Sequence, residues 1–237
     1  MTIWSHYSAS LSTTHPRRRN PSRLPRKRPG PAGGKRDVNR RETAGRLADA
    51  ALGLFLAEGT AAVTIDQIAV HAKIAKGSFY RYARDKADVV EQIMAPVVEQ
   101  VTVALDRCEH ALHRARPDTL AATYLQLAAD LSIVVAQHAP RVLLYLQEVR
   151  APAGPARRAI HALAEQLTTR AIALTELARD HGLIRAVDPA ISALAVIGAV
   201  DAVLFAYLRR PRLPSADAPM VISELVAIVL RGIRGEP

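Results

Sequence analysis

The chain has 237 residues, 32 Lys and Arg against 22 Asp and Glu, 49% apolar residues and one cysteine, Cys108. That length buries a core without covalent staples, the lone cysteine excludes an internal disulfide and fits a reducing compartment, and no apolar run precedes the N-terminal arginines as a secretory signal would require. Ala, Leu and Val dominate while aromatics make up 4%, which points to an all-α fold.

Up to Arg41 there are 11 basic residues against one acid, Asp37, so the whole net charge of +10 falls in this stretch and the remainder is neutral. Residues 1–36 are rich in Ser, Pro, Arg and Gly without periodicity and are expected to form a disordered basic arm. A basic arm on a neutral body suits polyanion binding through counterion release, and the same composition also suits a solvated leader.

From Asp37 the apolar spacing becomes helical. Leu47, Ala51, Leu54 and Phe55 recur at three and four residues, and Gly59 stops the helix after Glu58. Thr64 followed by Gln67 is a capping box that starts a short helix with Ile65, Ile68 and Ala69 inward, ending near His71 or Ala72. After a tight turn, Lys76 to Tyr82 reads as a second short helix, so residues 37–85 are expected to form a helix-turn-helix domain. Asp85 caps the next helix, in which Pro96 introduces a kink or sets the direction.

Residues 86–237 read as helices separated by Pro and Gly. One is capped by Asp118 and runs to His138, one is opened by Pro140 and ends near Arg150, and one is opened by Pro155 and stops at Gly182. Asp188-Pro189 starts an apolar helix to Leu208, and a last helix spans 219–231. The 190–208 stretch has the length of a membrane span, but Asp201 and its many Ala and Gly residues fit a buried helix of a soluble oligomer better. No repeat period is visible.

A short helix entering a groove about 12 Å wide needs small or polar residues in front and backbone contacts beside them. Lys76, Gly77 and Ser78 lead, with Gly77 removing bulk. Lys76 and Arg81 reach phosphates or guanine edges, and Tyr80 and Tyr82 donate hydroxyls to phosphates. Thr64 and the amides behind it offer an anion site. Phe79 is read as core, and Tyr82 serves packing as well as phosphate. With Thr64, Ile68-Ala69, Lys76-Gly77, Ser78, Phe79, Tyr80 and Lys86 in register, residues 40–95 resemble the tetracycline-repressor (TetR/AcrR) family of bacterial regulators. Three positions depart from its pattern: Lys73 stands at the usual turn glycine, Ala75 at the usual hydroxyl cap, and Ala83 at an aromatic.

The resemblance implies a cytoplasmic homodimer, paired through its last two helices, that binds a palindromic DNA operator and is released by a small-molecule effector. Ala193, Ala195, Gly198, Ala199 and Ala202 suit close helix packing in that interface. Lys86 joins the expected DNA contacts, and Arg26, Lys27 and Arg28 resemble the basic core of minor-groove arms. Tyr124, His138, Arg141, Tyr145, Gln147, Glu148, Gln126 and His161 lie on helices that line the family's cavity, and of these Tyr124, His138, Arg141, Tyr145, Glu148 and His161 are expected to reach a largely apolar ligand. No cofactor is expected. On one helix Cys108 points about 200° away from His110, so with His113 they make no metal site. The absence of Walker, zincin and nucleophile-elbow motifs argues against an enzyme. Two competing readings are a nonspecific nucleoid-type DNA binder, and a helical small-molecule carrier or enzyme with an incidental basic tail.

Overall fold

In the computed structural model the described residues are 34–185 and 188–209, with Glu224 and Ile228 as isolated positions. They contain seven α-helices and no strand: α1 (Lys35–Glu58), α2 (Ile65–His71), α3 (Lys76–Phe79), α4 (Lys86–Leu112), α5 (Leu120–Glu148), α6 (Arg158–Asp180) and α7 (Pro189–Arg209), with a 3-10 turn at Pro155–Arg157 before α6. Arg26, Lys27, Arg28 and almost all of the 219–231 helix lie outside the described residues.

The compact unit from residue 40 onward is built around one continuous apolar cluster. The stripe on α1 enters it as expected, with Leu47, Ala51 and Phe55 fully buried. Gly59 takes a left-handed φ of 81° to end the helix. The cluster runs from there through Phe79 and along α4 to α5, α6 and Leu204 of α7, so residue 85 marks the start of a helix without interrupting the core.

Two helix boundaries differ from the sequence reading. Thr119, not Asp118, is the N-cap of α5, and its side chain caps no α5 amide: its hydroxyl accepts from the Arg116 amide and donates to the Arg116 carbonyl, while Asp118 pairs with Arg116 at 3.6 Å. The expected break before Pro140 is a kink within one long helix. His138 leaves helical geometry at φ −127°, which accommodates the proline ring without ending α5. The second short helix, α3, is also shorter than expected. It ends at Phe79, and Tyr80–Tyr82 form a turn.

Candidate nucleic-acid interface and ligand cavity

The helix-turn-helix is assembled by local rules. Thr64 Oγ1 accepts the Gln67 amide at 3.3 Å while Gln67 Oε1 accepts the Thr64 amide at 2.7 Å, completing the capping box. Between α2 and α3 the chain turns through Lys73 at φ 55°, the one non-glycine residue with positive φ among the described residues. Ala75 occupies the N-cap of α3 and supplies no side-chain bond. Phe79 is fully buried, and Ala83, at the family's aromatic position, is buried too, with half-buried Tyr82 packed against the core beside it.

The outer edge is polar and self-paired. Lys76 Nζ meets the Asp66 carboxylate at 2.7 Å, and the bond and charge of Asp66 raise the lysine's pKa. Arg81 donates to Ser78 Oγ at 3.0 Å and lies 5.8 Å from the Tyr82 ring. Tyr80 is exposed, braced edge-to-face on Phe79 at 5.4 Å. A Cβ at Gly77 would meet nothing within 4 Å, so intramolecular packing does not require that glycine. Thr64, Lys76, Gly77, Ser78, Tyr80, Arg81 and Tyr82 thus stand on one short stretch of fold.

Lys86 has a different immediate job. Its Nζ donates to the carbonyls of Ala61 and Val63 at 3.1 and 2.8 Å, fixing the α1–α2 turn from the start of α4. Partial burial, and then the nearby Arg157 charge, lower its pKa. From the far end of α5, Glu148 holds the same turn. Its Oε1 accepts the Thr60 amide at 2.7 Å, its Oε2 accepts the Thr60 hydroxyl at 2.9 Å, and Arg157 Nε donates to it as well. Burial pushes the Glu148 pKa up, but the Thr60 amide, Arg157 and the Thr60 hydroxyl together outweigh it and hold the carboxyl below its usual range. Gly59 fits tightly here, since a Cβ would lie 3.3 Å from Glu148 Oε1.

This corrects the expected role of Glu148, which is 4% exposed, is engaged with Thr60 and Arg157 and does not line the cavity. Arg141 is corrected in the same way. Its Nε donates to the Ile93 carbonyl of α4 at 3.1 Å and its guanidinium stands 3.8 Å from Asp49 of α1. His138, at the kink, contacts Gln100 at 3.0 Å, and burial followed by the Arg141 charge lowers its pKa. Neither it nor His161, whose Nε2 is buried without a partner, lines the cavity.

That cavity, of about 270 Å³, lies among α4, α5, α6 and α7. Its wall is almost wholly aliphatic, with Val101, Leu131, Leu174 and Val200 contributed by the four helices in turn. Of the six expected ligand residues, Tyr124 and Tyr145 line it. Burial raises both phenols, so they stay protonated donors. Asp201 also lines it, a residue that sequence reasoning used only to argue against a membrane span. The signal was present: a single acid inside an apolar helix is costly unless it has a task. Cys108, buried nearby on α4, has its thiol pushed up to about 11 by desolvation and is unreactive.

Residues 47–93, from the inner stripe of α1 through the first two turns of α4, match the family model described as bacterial regulatory proteins, tetR family. The helix-turn-helix segment is of the tetR type. The chain is 38% identical over 55 residues to an uncharacterized HTH-type transcriptional regulator, TtgW, of Pseudomonas putida, a stretch covering 23% of this chain and 41% of that relative. Among solved structures it is similar to NalD of Pseudomonas aeruginosa, the secondary repressor of the MexAB-OprM multidrug efflux pump, with TM-score 0.64 and 18% identity over 84% of this chain and all of that one. It is also similar to FadR of Bacillus subtilis in complex with stearoyl-CoA, with TM-score 0.61 and 16% identity over 80% of this chain and 98% of that one. These likenesses extend the fold beyond the tetR segment into the helices that enclose the cavity.

Proposed function

We propose that this chain is a ligand-responsive, DNA-binding transcriptional regulator, a repressor that holds a palindromic operator as a homodimer and is released by a small molecule. The observation that carries the reading is the double hold on the α1–α2 turn. Lys86 from α4 and Glu148 from α5 both grip residues 60–63, and the same two helices form walls of the cavity. A ligand that changes the packing of α4 against α5 therefore acts on the turn that positions α2 and α3. Release requires that ligand favour the arrangement that fits the operator less well.

In this reading residues 37–85 read DNA and residues 86–237 bind effector and dimerise. Lys76, Ser78, Tyr80 and Arg81 meet the operator, with Gly77 admitting the bases and Thr64, Tyr82 and Lys86 placing the phosphates. The exposed pairs Lys76–Asp66 and Arg81–Ser78 are exchanged for phosphate oxygens on binding. Two copies joined through α7 and the 219–231 segment present α3 about 34 Å apart, one DNA turn. The exposed Ile191 and Leu194 of α7 support that interface, as does its mean hydropathy of 2.2. The arm carrying Arg26, Lys27 and Arg28 lengthens the footprint, and the protein works in the cytoplasm. The deciding experiment is footprinting of the full chain on DNA upstream of its own gene. A protected palindrome bound at low nanomolar concentration in physiological salt supports the reading, and uniform protection replaces it with nonspecific binding.

A further inference from the structure

The cavity carries one ionisable acid and no base. Among the described residues that line it, the polar side chains are Tyr124, Tyr145, Thr175, Ser192 and Asp201, and there is no Lys, Arg or His. Thr175 has already committed its hydroxyl to the Ala171 carbonyl at 2.8 Å. Asp201 lies half-buried on α7, and no hydrogen bond or ion pair engages its carboxylate among the described residues. The charged group that acts on it is Arg150, exposed just beyond α5, and Tyr145 lies within its electrostatic reach.

A carboxylate in an aliphatic wall is expensive to ionise. Burial accordingly raises the Asp201 pKa, with Arg150 offsetting part of the effect. An anionic ligand would add a second negative charge beside Asp201, and the cation within electrostatic reach, Arg150, is exposed and is not among the described residues that line the cavity. A neutral apolar ligand would leave the carboxylate still unpaired and drier than before. A cation on an apolar body satisfies both parts of the site, since its hydrocarbon fills the Val and Leu wall while its charge meets Asp201, with Tyr145 within electrostatic reach.

We propose that the effector is a lipophilic cation, an amine or related positively charged head on an apolar body, with Asp201 as its counter-ion. This assignment rests on the cavity being the effector site, and the test separates the two ideas. Three probes of equal chain length, octylammonium, octan-1-ol and octanoate, are titrated into the full chain at pH 7.5 by calorimetry, with wild type and Asp201→Asn compared. The expected order is octylammonium at least tenfold tighter than octan-1-ol, with octanoate weakest. In Asp201→Asn the preference for the amine should fall to within twofold while octan-1-ol binds at least as well as before. Octan-1-ol matching octylammonium in wild type, octanoate exceeding either, or an undiminished amine preference in Asp201→Asn overturns the cationic assignment and leaves the cavity as a binding site. Failure of all three probes to bind overturns both. The ranking in wild type decides the matter even if the variant folds poorly.

Discussion

Around the helix-turn-helix, Lys76 is paired with Asp66, Arg84 with Asp88 and Lys86 with two carbonyls, whereas the cavity holds one carboxylate, Asp201, with no such partner. The first set is mostly exposed, and pairs of that kind contribute little in water, so a phosphate can replace them at small cost. The second stands in a low-dielectric wall, where an unpaired charge dominates what is allowed to bind. In the proposed function the first region exchanges partners and the second selects one. Between them lies the buried knot of Thr60, Glu148 and Arg157, which does neither and should be the most sensitive point in the molecule.

Removing that knot gives the largest effect. Glu148→Ala leaves Arg157 without its carboxylate and the Thr60 amide without an acceptor, and breaking a buried pair in this way costs about 3 kcal/mol. Thermal or urea unfolding should show the loss, and operator affinity should fall with it. If the variant unfolds like wild type, the turn is held by Lys86 alone. The pH dependence has a definite sign. Because the folded carboxyl is depressed, its contribution is complete above the ordinary Glu pKa and disappears as pH falls through the folded value. The stability difference between wild type and Glu148→Gln should therefore be constant near neutrality and shrink below about pH 4.

Gly59→Ala probes the same knot from the other side. The substitution must hold a left-handed φ of 81° and place a methyl 3.3 Å from Glu148 Oε1. Left-handed strain alone costs about 1–2 kcal/mol, and displacing the carboxylate adds to it. The expected result is a clear drop in unfolding midpoint. Equal stability of the two proteins would show that the turn relaxes freely and cannot transmit a movement of α5.

How much of this was legible in the chain depended on how far apart the partners lie. The Thr64–Gln67 box, the Asp85 cap and the buried stripe on α1 are contacts within one or two turns, and residue spacing reveals them. Lys73, Ala75 and Ala83 were visible as departures because the motif around them is local as well. Glu148 and Arg141 reach across 88 and 48 residues, and nothing in their own neighbourhood distinguishes a ligand contact from a helix tether. Asp201 is intermediate. Its presence in an apolar helix was plain, but the cavity beside it exists only once α4, α5, α6 and α7 are packed.

The turn between α2 and α3 offers a gain in place of a loss. Lys73→Gly removes the left-handed penalty at φ 55°, while glycine adds backbone entropy to the unfolded chain, so the net stabilisation should be about 0.5–1 kcal/mol. The Lys73 side chain is exposed and engaged in no hydrogen bond or ion pair among the described residues, and the bond from its backbone amide to the Val70 carbonyl is one that glycine keeps, so no lost contact offsets the gain. Chemical denaturation measures it directly. An unchanged midpoint would mean that the lysine side chain offsets the strain through the unfolded state.

The smallest expected change separates helix stability from recognition. Ala75 holds extended N-cap geometry, φ −67° and ψ 143°, but has no oxygen to offer the amides of α3. Ala75→Ser supplies one without altering the backbone, and a cap of this kind contributes about 0.5–1 kcal/mol. The effect stays local because α3 has only four residues and its one buried anchor, Phe79, is already in the core. Global unfolding should therefore shift slightly upward, while hydrogen exchange of the 77 and 78 amides slows more than that of α4. If the added cap strengthens operator binding as well, an under-capped α3 is part of what keeps affinity moderate and release by ligand easy. If only the exchange slows, Lys76 to Arg81 are already held in their binding arrangement before DNA arrives.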